Sequence, residues 1–342
     1  MIHAITVDNF GPLHGIHWPA LGKLNLIIGG NSSGKTFLLK AIYSSLQALE
    51  MAQHIHPQRA INDLLSDKLR HTFQVAAPDE LRSRGSTSDL AFSVTIDHQK
   101  FSYGIGRGGV KAVQITENQV PAHHSHSVFL PAKEVLSLHS VILQAPSGNT
   151  ALHFDDTYLD LVRALRMPMQ ARPEGDTAFT VARAALAGLL GGAIAFDTRS
   201  DQWLFTQGAN TYTMGVTAEG IRKIGILDVL LGNHYLDRNS VVFIDEPGSA
   251  LHPAAIAQLL DIVALLADQG VQFFMASHSY FVVKKLFLIA QARGWSIPIL
   301  SAQEVPGRTE WVCDDLLNGV PENPIFNESL RLHSEEIGLT LL

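Results

Sequence analysis

Residues 27–36 read IIGGNSSGKT. Gly29, Gly34, Lys35 and Thr36 match the pattern G-x-x-x-x-G-K-[S/T], and the flanks supply the context that pattern needs. KLNLIIG (23–29) is a short apolar run, as a buried strand requires. TFLLKAIYSSLQALEMA (36–52) sets Leu38, Ile42, Leu46 and Leu49 at helical spacing. Strand, glycine loop and helix in this order hold a phosphate for physical reasons. Glycines let backbone N–H groups turn inward around phosphate oxygens, and the helix N-terminus adds the positive end of its dipole. Lys35 brings a point charge for the β- and γ-phosphates, and the Thr36 hydroxyl is a ligand for Mg2+. The expected nucleotide-contacting run is Gly29, Gly30, Asn31, Ser32, Ser33, Gly34, Lys35, Thr36 and Phe37.

Two further strands end in chemistry. SVVFIDEP (240–247) is a continuous apolar run, as expected in the middle of a parallel sheet. Asp245 at its end can hold Mg2+, and Glu246 beside it is placed to polarise a water that attacks the γ-phosphate. The Asp-Glu pair favours hydrolysis over kinase chemistry. The alternative for both acids, capping at a strand end, weakens in the company of the loop. MASHS (275–279) delivers His278 at the end of another buried strand, where it can hydrogen-bond a γ-phosphate.

The remaining pattern alternates strands and helices, which predicts an α/β fold around a mainly parallel sheet. HAITVDNF (3–10), LAFSVTID (90–97), QKFSYGIG (99–106) and AVQITE (112–117) predict an N-terminal antiparallel β subdomain. Residues 51–127 otherwise read as polar and irregular. Residues 135–190 read as mainly helical, broken at APSGNT (145–150) and ARPEGD (171–176). The expected division is an N-terminal lobe over 1–134, a helical insert over 135–195 and a C-terminal lobe over 196–342. GIGRGG (104–109) lacks a following helix and reads as a turn. His123, His124 and His126 lack a carboxylate at ligand spacing and read as a solvated loop.

At 342 residues with 46% hydrophobic and 17% charged residues, the chain is long and apolar enough for a sizeable core. Its net charge of −7 does not indicate nucleic acid, and the basic candidates are thin: Arg82, Arg84, Arg222, Lys223, Lys284 and Lys285. A single cysteine, Cys313, excludes an internal disulfide framework and suits a reducing, cytoplasmic setting. VARAALAGLLGGAIAF (181–196) and IAQLLDIVALLA (256–267) are too interrupted to span a membrane and read as buried core, so no membrane partner is expected.

The order of loop, D-E-P strand, SALH (249–252) and strand ending in His278 resembles the ABC-type ATPases of the SMC-like and OLD-like branch. VTAEGIRKIGIL (216–227) stands where that family's signature helix begins, and residues 314–339 resemble the ending of bacterial single-domain, AAA-type ATPases found in anti-phage defence operons. The resemblance implies ATP and Mg2+ as cofactors and a head-to-tail homodimer, or a higher assembly, with ATP at composite sites. Glu219 and Gly220 of one subunit would approach the γ-phosphate bound by the other, and Asn31 and Ser33 would lie at the seam. Three positions depart from the family. Ala218 replaces the signature serine, leaving Thr217 as the nearest hydroxyl, and His252 replaces the D-loop acid. FLPAKEVLSLH (129–139) has no Q-loop glutamine, leaving Glu134 or Lys133 for that role. No sustained heptads, no C-x-x-C hook and no Toprim nuclease pattern are visible; Asp314 and Asp315 read as a helix cap or turn.

The function this implies is an ATP-hydrolysing dimeric switch, slow where the missing serine matters, that controls a separately encoded effector such as a nuclease. The alternatives are a DNA-repair ATPase, a non-hydrolysing nucleotide-bound scaffold, and the energy subunit of an ABC transporter.

Overall fold

The computed structural model describes residues 1–52, 60–106, 113–120, 126–144, 154–169, 177–305 and 308–340. Its centre is a six-stranded sheet in which β3 (Leu24–Gly29), β7 (Ser127–Leu130), β11 (Val241–Asp245), β12 (Gln272–Ser277) and β13 (Pro298–Val305) are parallel. The order across it is β14-β13-β3-β12-β11-β7, with β14 (Arg308–Asp315) antiparallel at one edge. Parallel strands covered on both faces need apolar side chains on both, and every residue of β3, β11 and β12 is buried. Period-two alternation then divides them between two cores. Leu26, Ile28, Val242, Ile244, Phe273 and Met275 face one side; Ile27, Val241, Phe243, Phe274 and Ala276 face the other.

The second core is closed by an antiparallel sheet, β2-β1-β4-β5-β6, built from β1 (Ile2–Asp8), β2 (Ile16–Trp18), β4 (Leu90–Ile96), β5 (Gln99–Ile105) and β6 (Gln114–Asn118). Helix α1 (Lys35–Glu50) lies between the two sheets and is buried nearly all round. The first core lies under the helices α4 (Asp156–Leu165), α5 (Thr177–Leu190), α6 (Glu219–Gly232), α7 (Pro253–Asp268) and α8 (Tyr280–Arg293). A small third sheet, β10-β9-β8, joins β8 (Ala193–Asp197), β9 (Gln202–Gln207) and β10 (Asn210–Thr213).

Several expectations change. The stretch read as irregular contains helix α2 (Ile61–Phe73), whose Leu64, Leu65, Lys68, Leu69 and Thr72 form a buried stripe. β2 and β10 also went unread. The 181–196 run is not buried throughout. α5 buries only Phe179, Ala182, Leu186 and Leu190, on one helical face, and leaves Val181 56% exposed. Asp314 pairs within β14, while Asp315 caps a single 3-10 turn by accepting from the Leu317 N–H. APSGNT, ARPEGD, His123, His124 and the latter part of GIGRGG lie outside the described residues. His126 is described, with its ring 5.4 Å from that of Tyr235.

α4 is fastened to α1 and α2 by charge. Lys40 Nζ donates to Asp155 Oδ2 at 2.7 Å, and Lys68 Nζ donates to Asp156 at 3.1 Å and also to Asp160. The Tyr43 hydroxyl donates to Asp160 at 2.7 Å. The remaining helices are the short α3 (His139–Gln144) and the C-terminal α9 (Pro324–Thr340). No helix among the described residues is long and apolar enough to cross a membrane.

Candidate nucleotide-binding site

Register brings the three motifs to one edge. Ile28 of β3 pairs with Ser277 of β12, and Ala276 of β12 pairs with Asp245 of β11. The loop after β3, the acids ending β11 and His278 after β12 therefore leave the sheet at neighbouring carboxyl ends, where open α/β sheets bind ligands.

The loop needs its glycines. At Gly34, φ is +98° and a Cβ would lie 2.9 Å from Leu13 Cδ2; at Gly29 a Cβ would lie 2.7 Å from Ala302 Cβ. Gly34 also precedes α1, which has no side-chain cap, so its first-turn amides are left to another acceptor. Lys35 folds back over the loop, donating to the carbonyls of Gly29 (2.9 Å) and Gly30 (2.7 Å). Burial pulls its ammonium below the usual lysine range, while Glu246 and Asp245 pull it back up. Ser33 Oγ is sealed from solvent with no hydrogen-bond partner among the described residues, whereas Asn31 and Ser32 are exposed.

The Thr36 hydroxyl sits 3.0 Å from both carboxylate oxygens of Asp245. Burial is the main force holding the Asp245 carboxyl above the usual range; the Thr36 hydroxyl opposes it, Glu246 adds to it, and Lys40 and Lys35 oppose it. Glu246 adopts a left-handed φ of +53°. Its carboxylate lies 2.7 Å from His278 Nδ1 and also accepts from Ser277 Oγ (3.2 Å) and the His278 N–H (3.3 Å). His278 itself is 61% exposed.

Glu219 and Gly220 do not join this cluster directly. They begin α6, and a Cβ on Gly220 would lie 2.8 Å from the Ala250 carbonyl, so the helix start rests on the segment after Glu246. Ala218 offers no cap, and the Thr217 hydroxyl is turned away, donating to the Thr213 carbonyl at 2.9 Å. His252 has a local role: its Nδ1 accepts from the Ala254 N–H at 3.2 Å and caps α7. Glu134 is buried and committed. It accepts from Arg222 Nη1 (2.6 Å), the Ser137 N–H (3.1 Å) and the Ser137 hydroxyl, while Lys133 is exposed.

Several site-forming residues were not legible in the motifs. A cavity of about 440 Å³ beside the loop runs from Ser33 and Lys35 to Phe37, Lys40, Phe73 and Gln74. Phe37 packs 4.4 Å from Phe73 and edge-on to Phe10 at 5.3 Å, giving the cavity an aromatic wall. That wall depends on α2, which the sequence did not declare. Lys40 could have been found, because it stands one turn after Thr36 on the same helical face. Tyr158 of α4 was also missed; burial first, then Asp155 and Asp245, push its phenol up to about 12. Three of the six basic candidates are engaged elsewhere: Arg222 with Glu134, Lys285 with Asp261 at 2.7 Å, and Arg82 with the Ser88 carbonyl.

Residues 203–284, about a quarter of the chain, match the model of a family described as AAA domain, putative AbiEii toxin, Type IV TA system. No curated protein matches the chain. Among solved structures it is similar to an SMC head bound to the C-winged helix domain of ScpA, at 13% identity and a TM-score of 0.55, over 93% of this chain and 98% of that one. It is also similar to the Smc head domain with an extended coiled coil, bound to the C-terminal domain of ScpA, from Pyrococcus furiosus. There the identity is 10% and the TM-score 0.50, over 98% of both chains. With its sheet order and its loop after β3, the chain has the fold of an ABC-type P-loop NTPase in the form taken by SMC heads.

Proposed function

We propose that this chain binds ATP with Mg2+, hydrolyses it, and works as a dimeric switch on a separately encoded effector in bacterial anti-phage defence. The observation that carries the hydrolytic part is the meeting of Thr36 with both oxygens of Asp245, next to a Glu246 carboxylate held 2.7 Å from His278.

The donor set suits a magnesium nucleotide. A sealed and unpartnered Ser33 hydroxyl, an ammonium resting on loop carbonyls and uncapped helix amides all favour an anion. The Thr36 hydroxyl and the Asp245 carboxylate are hard oxygen ligands of the kind Mg2+ takes, and the ion when bound neutralises phosphate charge. Lys35 exchanges the Gly29 and Gly30 carbonyls for phosphate oxygens. Phe37 and Phe73 offer a π-face to a base. Glu246 accepts the proton of an attacking water, and His278 holds that carboxylate in place.

A composite, head-to-tail dimer is supported by Glu219 and Gly220, which begin a helix with no side-chain cap and rest on Ala250. Control of a separate protein draws support from the two solved heads, each bound to a domain of ScpA. The defence setting draws support from the family description, which includes a putative toxin of a type IV TA system. A non-hydrolysing scaffold is favoured by one observation alone, the missing hydroxyl at Ala218. The deciding experiment measures phosphate release from ATP by the purified chain and by Glu246→Gln. Turnover in the first and its loss in the second are expected; equal rates in the two refute the hydrolytic reading.

A further inference from the structure

The cavity beside the loop is lined by two lysines and, among the described residues, by no acid. Lys35 belongs to the loop itself. Lys40 stands four residues after Thr36, one turn further along α1, so it shares a helical face with the Thr36 hydroxyl. Ser32, Ser33 and Thr72 add further hydroxyls to the lining. Two ammonium groups and several hydroxyls with no carboxylate among them suit a ligand that carries more than one negative charge.

The partner of Lys40 is an acid that stands outside that lining. Lys40 Nζ donates to Asp155 Oδ2 at 2.7 Å, with the lysine side chain 20% exposed and the aspartate 11%. The two oxygens of Asp155 serve different ends. Oδ1 caps α4, accepting from the Thr157 N–H at 2.9 Å and from the Thr157 hydroxyl, while Oδ2 takes Lys40. The cap therefore survives the departure of the lysine. A lysine carries a compact charge on a flexible four-carbon stem, so it can turn from this carboxylate to an anion in the cavity. Lys68 has no such freedom, being 4% exposed between Asp156 and Asp160 and absent from the cavity lining.

We infer that Lys40 is a second phosphate-binding lysine of the site, one that exchanges Asp155 for a nucleotide phosphate oxygen, so that the cap of α4 responds to the nucleotide. The inference deepens the ATP-binding reading and rests on it. Asp155 and the phosphate compete for one cation, so the apparent affinity is reduced by the fraction of chains in which Asp155 holds Lys40. When the phosphate takes Lys40, Asp155 Oδ2 loses its cation while Lys68 still holds Asp156 and Asp160. The change is confined to the start of α4.

The test titrates ADP with Mg2+ into the full chain by calorimetry, so that no turnover intervenes. It compares wild type, Lys40→Met, Asp155→Asn and the double variant, each below its own Tm. Methionine keeps most of the lysine stem, and asparagine keeps the cap, at which it is as good as aspartate. Lys40→Met should weaken binding at least about fivefold, the loss of one charge-assisted contact. Asp155→Asn should tighten binding about threefold, because Lys40 is freed. The double variant should stay at least about fivefold weaker than Asp155→Asn. Binding by Lys40→Met within about twofold of wild type overturns the inference. So does an Asp155→Asn chain that binds no more tightly than wild type, which marks a purely structural pair. A double variant that recovers the affinity of Asp155→Asn also overturns it, because the bared acid and not the lost lysine then weakens binding. Lys35→Met separates the two claims. If it abolishes binding while Lys40→Met binds normally, only the role of Lys40 falls; if wild type binds no nucleotide, the ATP-binding reading falls and takes Lys40 with it.

Discussion

Replacing Lys68 with methionine tests how α4 is held to α1 and α2. The Lys68 side chain is only 4% exposed, between Asp156 and Asp160, which are each 20% exposed. Its Nζ also lies 5.5 Å from the centre of the Tyr43 ring. Methionine keeps most of the stem packing and removes the charge, leaving two aspartates one turn apart on the same face of α4 without their cation. Breaking a buried pair from one side costs about 3–5 kcal/mol. Because the two aspartates keep some contact with water, the lower end applies, about 3 kcal/mol. At roughly 1.4 °C per kcal/mol for a chain of 342 residues, Tm falls by about 4 °C. Lys285→Met is the control. Its partner Asp261 is 58% exposed, so that pair contributes less than about 1 kcal/mol. Urea unfolding followed by circular dichroism, with calorimetry for Tm, measures both. If Lys68→Met lies within about 1 kcal/mol of Lys285→Met, the charge cluster does not hold α4 to α1 and α2. Since α2 also carries Thr72, Phe73 and Gln74 into the cavity wall, ATP affinity in Lys68→Met should fall along with stability.

Gly34→Ala places a side chain at φ +98° against Leu13 and Pro12, a strain of about 1–3 kcal/mol at the start of α1; at least a tenfold loss of ATP affinity by calorimetry is expected, and unchanged affinity contradicts the loop geometry. His139 is 3% exposed, and burial first and Arg166 second hold its imidazole below the ordinary value of 6.5, with Asp201 opposing. The unfolded chain then binds the proton more readily than the folded one below that value, so this contribution is present above pH ~6.5 and is lost as pH falls toward the folded pKa. His139→Gln should flatten the dependence of Tm on pH between about 7 and 5, and an unchanged slope would remove His139 from the acid response.

The strands that carry chemistry were legible because burial on both faces calls for mostly apolar residues. β11 is apolar up to Asp245, and β3 and β12 are mostly apolar, with the buried Asn25 and Gln272 satisfied by hydrogen bonds. α2 was not legible. Its apolar stripe is interleaved with Asp63, Asp67, Lys68 and Arg70, and it is buried only because α1 and α4 arrive from distant parts of the chain. The same nonlocality hid the charges of α6. Arg222 read as a thin candidate for a basic surface, yet the segment after β7 brings the buried Glu134 to within 2.6 Å of it. His252 read as a departure from a family acid and turned out to cap α7. α5 read as core because its composition is apolar, but a helix packed on one side needs only one stripe.

Light scattering of Glu246→Gln, with and without ATP and Mg2+, tests the composite site most directly. With hydrolysis blocked, the mass should double when ATP is added and return to that of one chain when the nucleotide is removed. A mass that ATP does not change contradicts a site shared between two copies.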